Sequence, residues 1–143
     1  MADQEADESE TYPYTCPIEV RTNDIDQNGH VNNTAYSVYF EQARARYFRS
    51  LLENEWGGAS VVVAKLEIEY LSPVEFEDDV AVDVRVSEVG SSSWTVDCRL
   101  RANDRVAATG RSVHVAWDRE NATSQSIPEA WREKMEAELV AET

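Results

Sequence analysis

The sequence predicts an α+β domain in which an antiparallel sheet of five to six strands wraps around one long central helix. Two observations carry this reading. The hydrophobic period is helical once, over residues 33–53, and strand-like almost everywhere from Ser60 to Trp117. Turn residues then cut the strand region into segments close enough to pair antiparallel. Alternating strands present an apolar face that needs covering, and the helix is the one element long and apolar enough to cover it.

Each element has its own justification. Residues 1–10 hold five acids and no base, so 1–13 is expected to be a disordered acidic tail. Tyr14 to Val20 is β-compatible and opens a domain assigned to 14–118. Tyr36, Tyr39, Phe40, Ala43, Tyr47 and Leu51 fall on one helical stripe, with Glu41, Arg44 and Arg46 mostly off it. Asn32 or Asn33 is a natural N-cap, and Gly57-Gly58 ends the helix or the loop behind it.

The strands follow. Leu66, Ile68 and Tyr70 alternate with charged residues, as do Val80, Val82, Val84 and Val86 with Asp79, Asp83 and Arg85, and Trp94, Val96, Cys98 and Leu100 with Asp97, Arg99 and Arg101. Ser72-Pro73 and Gly90-Ser91-Ser92 break the pattern, and Asn103-Asp104 is a two-residue hairpin signal. A last strand runs from about Arg105 to Trp117. Ser126-Ile127-Pro128-Glu129 resembles a capping box, opening a short acidic helix in an extension assigned to 119–143.

Composition excludes several functions. With 42% hydrophobic residues and four tryptophans the chain is a packed globule. Its 28 acids against 13 bases, a net charge of −15, disfavour nucleic acid and anionic membrane surfaces as partners. No apolar run is long enough to cross a bilayer and no secretory signal opens the chain, so a cytoplasmic location is expected. Only two of the bases are lysines, and the acids are spread along the whole chain, as in proteins of salt-loving archaea. At about 1 M salt the Debye length is roughly 3 Å, so such a surface repels itself little. Cys16 and Cys98 stand far apart with no ligand at metal spacing. Neither a disulfide, a metal site nor a cofactor is expected.

The densest chemistry lies in the polar run from Arg21 to Asn33, just before the helix. It brings Asp24, Asp26, several amides and His30, one of two histidines, to the electropositive end of a helix. A carboxylate there can act as nucleophile or general base, and helix N-terminal N–H groups can hold a developing oxyanion. Each residue also has a plainer role. Asp24 can bond the turn, Asn32 and Asn33 can cap, Asn28 and Gly29 suit positive φ, and His30 can hold the loop. His114, in a strand of small residues, reads as structural.

The run Asp24-Ile-Asp26-Gln-Asn28-Gly-His30-Val-Asn32-Asn33, followed by Tyr36 and Glu41-Gln-Ala43-Arg44, resembles the 4-hydroxybenzoyl-CoA thioesterase-like group of hotdog-fold proteins. It is also similar to plant acyl-ACP thioesterases, which carry Asp-x-Asn-x-His before Val-Asn-Asn. The resemblance implies a hotdog fold and an acyl-CoA thioesterase. Asp26 would be its nucleophile or general base, and Asn28 and His30 would match the amide and imidazole of the plant pattern. Asn32, Asn33 and Tyr36 would meet the substrate. One departure is plain: the acid that plant enzymes place after a tyrosine of the next strand is absent after Tyr70, which leaves an Asp-centred mechanism.

The resemblance also implies a homodimer or homotetramer with sites at the subunit boundary. Arg85, Arg99, Arg101, Arg105 and Arg111 either gather CoA phosphates or pair with Asp83 and Asp97 across the ladder. Two other functions fit the same fold: a non-catalytic acyl-thioester-binding module, and a hydratase using Asp26 and His30.

Overall fold

The computed structural model describes residues 11–142, so the acidic stretch 1–10 lies outside the described residues. The chain runs β1 (Tyr14–Ile18), a 3₁₀ turn (Thr22–Asp24), α1 (Asn33–Leu52), β2 (Ser60–Tyr70), β3 (Val80–Val89), β4 (Ser93–Ala102), β5 (Arg105–Asp118), β6 (Thr123–Ser124) and α2 (Glu129–Glu142). The strands form one antiparallel sheet in the order β1-β3-β4-β5-β2, with β6 pairing on β5. Asn103 and Asp104 both have positive φ, 51° and 71°, as a two-residue hairpin between twisted strands requires.

Helix α1 covers the inner face of the sheet. Tyr36, Tyr39, Phe40, Ala43 and Tyr47 are buried against Val82, Val84, Val96 and Leu100. The buried stripe is wider than the spacing predicted, since Ala35, Phe48 and Leu52 join it. Arg44, expected mostly off the stripe, is also buried, at 8% exposure. The helix ends at Leu52 because Glu53 turns to φ 53°, and Gly57-Gly58 belongs to the following loop. Residues 119–139 pack on the same core. Ile127, Trp131 and Met135 are buried, Tyr47 Oη donates to Glu138 at 2.6 Å, and Arg132 donates to the Gly90 carbonyl at 2.7 Å.

On the outer face the polar phase of β3–β5 is covered by its own ion pairs. Asp83 accepts from Arg99 and Arg101 at 2.8 Å each and from Thr15 at 2.7 Å. Asp97 takes Arg111 at 2.8 Å and Arg85 at 3.2 Å. The Tyr12 ring lies under the guanidinium groups of Arg85 and Arg99, 4.6 and 4.3 Å from its centroid. Four of the five arginines therefore pair across the ladder with Asp83 and Asp97, while Arg105 pairs with Asp78 at 3.1 Å.

Strand β2 differs from the rest. Its alternation is as read, with Leu66, Ile68 and Tyr70 in phase with Val61 and Val63 across a register shift at Val63/Lys65. Yet Val61, Val63, Leu66 and Tyr70 are 40–50% exposed, because α1 does not reach over this edge. Among the described residues no helix is long and apolar enough to cross a membrane.

Candidate active site

The polar run folds as a tight hairpin set on the entrance of α1. Ile25 and Val31 bridge its stem, and Asp26 N–H donates to the His30 carbonyl at 2.7 Å. Gly29 sits at φ 82°, a conformation that side chains with a Cβ disfavour, and its N–H donates to the Asp26 carbonyl at 3.1 Å. The hairpin is pinned on both sides. Val31 N–H donates to Val74, and Asn32 N–H to the Asp24 carbonyl, each at 2.7 Å.

Asp24 is fully engaged in structure. One oxygen accepts from the Tyr39 hydroxyl at 2.7 Å and from the Arg21 N–H at 3.0 Å, and the other faces the Arg21 guanidinium at 3.8 Å. Burial works to raise its pKa, but the Tyr39 and Arg21 contacts outweigh that and hold it below the usual carboxylate value. Its role is the turn-bonding one.

Asp26 is placed differently. Its Oδ1 accepts the backbone N–H groups of Asn28 at 2.8 Å and His30 at 3.2 Å. Its Oδ2 has no hydrogen-bond partner among the described residues. The half-buried side chain lines a cleft of about 370 Å³ shared with His30, Asn33 and Tyr36. The far wall is Tyr70, Leu71, Ser72 and Pro73.

Helix α1 presents its N-terminus to the same space. Asn32 is the N-cap, its Oδ1 accepting from Thr34 N–H at 2.9 Å and from the Thr34 hydroxyl at 2.8 Å. With Thr34 N–H so taken, and Ala35 N–H bonded to the Asn32 carbonyl, the Asn33 N–H is left without an acceptor among the described residues. Orphan donors of this kind carry the positive end of the helix dipole. Tyr36 stands edge-on to Tyr70, centroids 5.0 Å apart, and the Tyr70 hydroxyl donates to the Asn33 carbonyl at 3.1 Å. Burial and the Tyr70 hydroxyl push Tyr36 above the ordinary phenol value, so it is neutral at pH 7.

Of the six residues singled out in the sequence, Asp26, His30, Asn33 and Tyr36 therefore share one cleft. Asn28 is exposed and bonds Asp26 through its backbone, and Asn32 acts as the cap, neither lining the cleft. Sequence reasoning did not mark Tyr70, Leu71, Ser72 and Pro73 as the opposite wall. Ser72-Pro73 carried only the signal of a strand break. Arg105 holds that wall, donating to Ser72 Oγ at 2.9 Å and to the Pro73 carbonyl at 2.6 Å. Among the described residues no group of three His, Cys, Asp or Glu is arranged to hold a metal ion.

One cleft is thus lined by a carboxylate with one oxygen unpartnered among the described residues, by the first residue of a helix with an equally unpartnered N–H, and by an aromatic wall, groups of the kind acyl chemistry uses. The chain is 36% identical over 87 residues to the uncharacterized protein YsmA of Bacillus subtilis, covering 60% of this chain and 59% of that one. It thus spans less than two thirds of that relative's length. It is 31% identical over 97 residues to the acyl-CoA thioesterase YbgC of Haemophilus influenzae, covering 63% of this chain and 70% of that protein. Among solved structures it is similar to a thioesterase from Thermus thermophilus crystallised with coenzyme A and Zn. The TM-score is 0.81 at 36% identity, covering 90% of this chain and 96% of the other. Residues 20–135 match the Thioesterase-like superfamily, and the chain belongs to it.

Proposed function

We propose that this protein hydrolyses an acyl-CoA thioester to the free carboxylic acid and CoA, with Asp26 as general base or nucleophile. The observation that carries the reading is that one cleft is lined by Asp26 and by Asn33, whose backbone N–H has no acceptor among the described residues. As base, Asp26 takes a proton from water while the water oxygen attacks the thioester carbonyl. The carbonyl oxygen becomes an oxyanion at the Asn33 N–H, a stabilisation of roughly 3–4 kcal/mol in related sites. Collapse expels the CoA thiolate, which leaves readily and takes up a proton. As nucleophile, Asp26 would instead form an anhydride that water then opens.

Asn28 and His30 complete the site. The backbone N–H of each holds Asp26 Oδ1, and the His30 side chain meets the substrate in the cleft. Asn32 and Asn33 set the helix end, and Tyr36 borders the acyl group. The Asp-centred arrangement favours the 4-hydroxybenzoyl-CoA thioesterase-like type. Residues 14–118 are read as the thioesterase domain and 119–143 as a C-terminal extension, of which Ile127, Trp131 and Met135 are buried.

The exposed apolar face of β2 and its free edge support a homodimer, or a tetramer of dimers, joined edge to edge at β2. A charge of −15 with two lysines supports a haloarchaeal origin and a cytosol of molar salt. The test is thiol release in about 2–3 M KCl from short, long and aromatic acyl-CoAs, with Asp26→Ala alongside. Release lost in the variant supports the reading. Binding without release from any substrate would instead make the protein a non-catalytic acyl-thioester module.

A further inference from the structure

A second cavity opens on the other half of α1, about 16 Å along the helix axis from Asn33 at 1.5 Å per residue. Its volume is about 200 Å³, and most of its wall is apolar: Phe48, Leu52, Val61, Trp94, Trp131 and Met135. The polar residues of the lining are Glu41, His114 and Arg44, and Arg44 is 8% exposed.

A buried guanidinium cannot shed its proton and is costly without a counter-charge. Among the described residues Arg44 makes no ion pair. Its neighbours do not supply the missing charge. The Cys98 thiol beside it is neutral, pushed up to about 12 by burial. His114 is neutral too, its Nε2 within 2.8 Å of Ser112 Oγ and its ring stacked on Trp94 at 5.7 Å. Glu41, one turn earlier on α1, is an exposed rim residue that makes no ion pair with Arg44. Beside this uncompensated charge, Trp94, 3% exposed, keeps its indole N–H without an acceptor, the one such buried side-chain atom among the described residues.

We propose that this cavity binds a small carboxylate with an apolar body. The carboxylate sits on Arg44, and an aryl or short alkyl group lies among Phe48, Trp94 and Trp131. Two magnitudes support the ligand class. An apolar cavity of about 150 Å³ accepts benzene, so this one has room for a single ring and a carboxylate. A guanidinium fork matches a carboxylate in two hydrogen bonds, and a neutral analogue of the same shape leaves the buried charge unpaired. The site belongs to Arg44 and its cavity, and stands whether or not Asp26 is catalytic. Its ligand has two sources, a free acid or the far carboxylate of a dicarboxylic acyl thioester.

The test is calorimetric titration of the full chain with phenylacetate and with phenylacetamide in about 2 M KCl, where a buried pair is screened little. Phenylacetate is expected to bind about tenfold tighter than the amide. Arg44→Met brings the acid down to the amide's level, and Arg44→Lys keeps part of the preference. Equal affinities in the wild-type protein, no binding of either, or a preference that survives Arg44→Met overturns the proposal. Because acid and amide are compared on the wild-type protein, a variant that fails to fold leaves the proposal falsifiable. A second arm identifies the source. A lower KM for a dicarboxylic than for the matching monocarboxylic acyl-CoA, equalised by Arg44→Met, assigns the acyl tail. Acid binding with no such difference assigns the free acid.

Discussion

The backbone N–H of His30 donates to Asp26 Oδ1 at 3.2 Å, while the Asp26 N–H donates to the His30 carbonyl at 2.7 Å. The two residues are thus tied twice, once through the hairpin ladder and once through the carboxylate. One oxygen of Asp26 shapes the loop, and the other has no hydrogen-bond partner among the described residues. In the proposed reaction the same side chain would carry both structure and function, and substitutions can separate the two.

Asp26→Asn keeps an acceptor at the Oδ1 position and removes the basic carboxylate. It should cost about 1 kcal/mol of stability or less and lower kcat by about 10²- to 10⁴-fold. Asp26→Ala removes the acceptor as well and should cost about 2 kcal/mol, with the same loss of turnover. Urea unfolding and thiol release on both variants check this. An Asp26→Asn protein at the wild-type rate would end the assignment.

Leu66 is 40% exposed on an edge strand whose whole inner face is apolar. Leu66→Glu would place two carboxylates close together wherever two β2 edges meet, in a chain already strongly acidic. The proposed β2-edge oligomer should dissociate by light scattering at a protein concentration about tenfold higher than wild type requires. The same substitution on an isolated subunit would leave stability within about 0.5 kcal/mol.

His114 gives a pH dependence with a definite sign. Burial first, then the Arg44 charge, push its pKa down from 6.5 to about 4. Its folded pKa is thus below the unfolded one, so the unfolded chain binds the proton first as pH falls. Stability from keeping it neutral is full above about 6.5 and is lost progressively down to about 4. The loss is about 3 kcal/mol at most, from the size of that shift. In His114→Gln the urea midpoint should vary much less between pH 7 and 4.5. An unchanged slope would mean that other groups carry the acid sensitivity.

The elements legible in the sequence are those set by local period: four strands by alternation, α1 by its aromatic stripe, the hairpin by Asn103-Asp104. The polar run was legible as a candidate site because its spacing is local too, and Asp26, His30, Asn33 and Tyr36 do line one cleft. What escaped depends on partners distant in sequence. Asp83 reads as an outward strand residue, and it does point outward. It is 2% exposed because Thr15, Arg99 and Arg101 close over it from two neighbouring strands. Arg44 reads as mostly off the apolar stripe, and only the packing of β2, β4, β5 and α2 around it makes a cavity there. The β2 phase was read correctly, but alternation says which side is apolar and not what covers it.

Gly110 gives the most local test of how closely α1 lies on the sheet. It stands in the middle of β5, and a Cβ built on it would come 2.8 Å from Cε2 and 3.0 Å from Cδ2 of Phe40. Phe40 is fully buried, so its ring has no open direction in which to retreat. Gly110→Ala gains a few tenths of a kcal/mol by restricting the unfolded chain, but overpacking of about 1–3 kcal/mol should outweigh that. Phe40→Leu alone should cost about 1–2 kcal/mol through the space it leaves. Together the two should cost clearly less than their sum, because the added methyl fills part of that space. A double-mutant cycle by urea unfolding measures the coupling, and strict additivity would show that Phe40 does not feel residue 110.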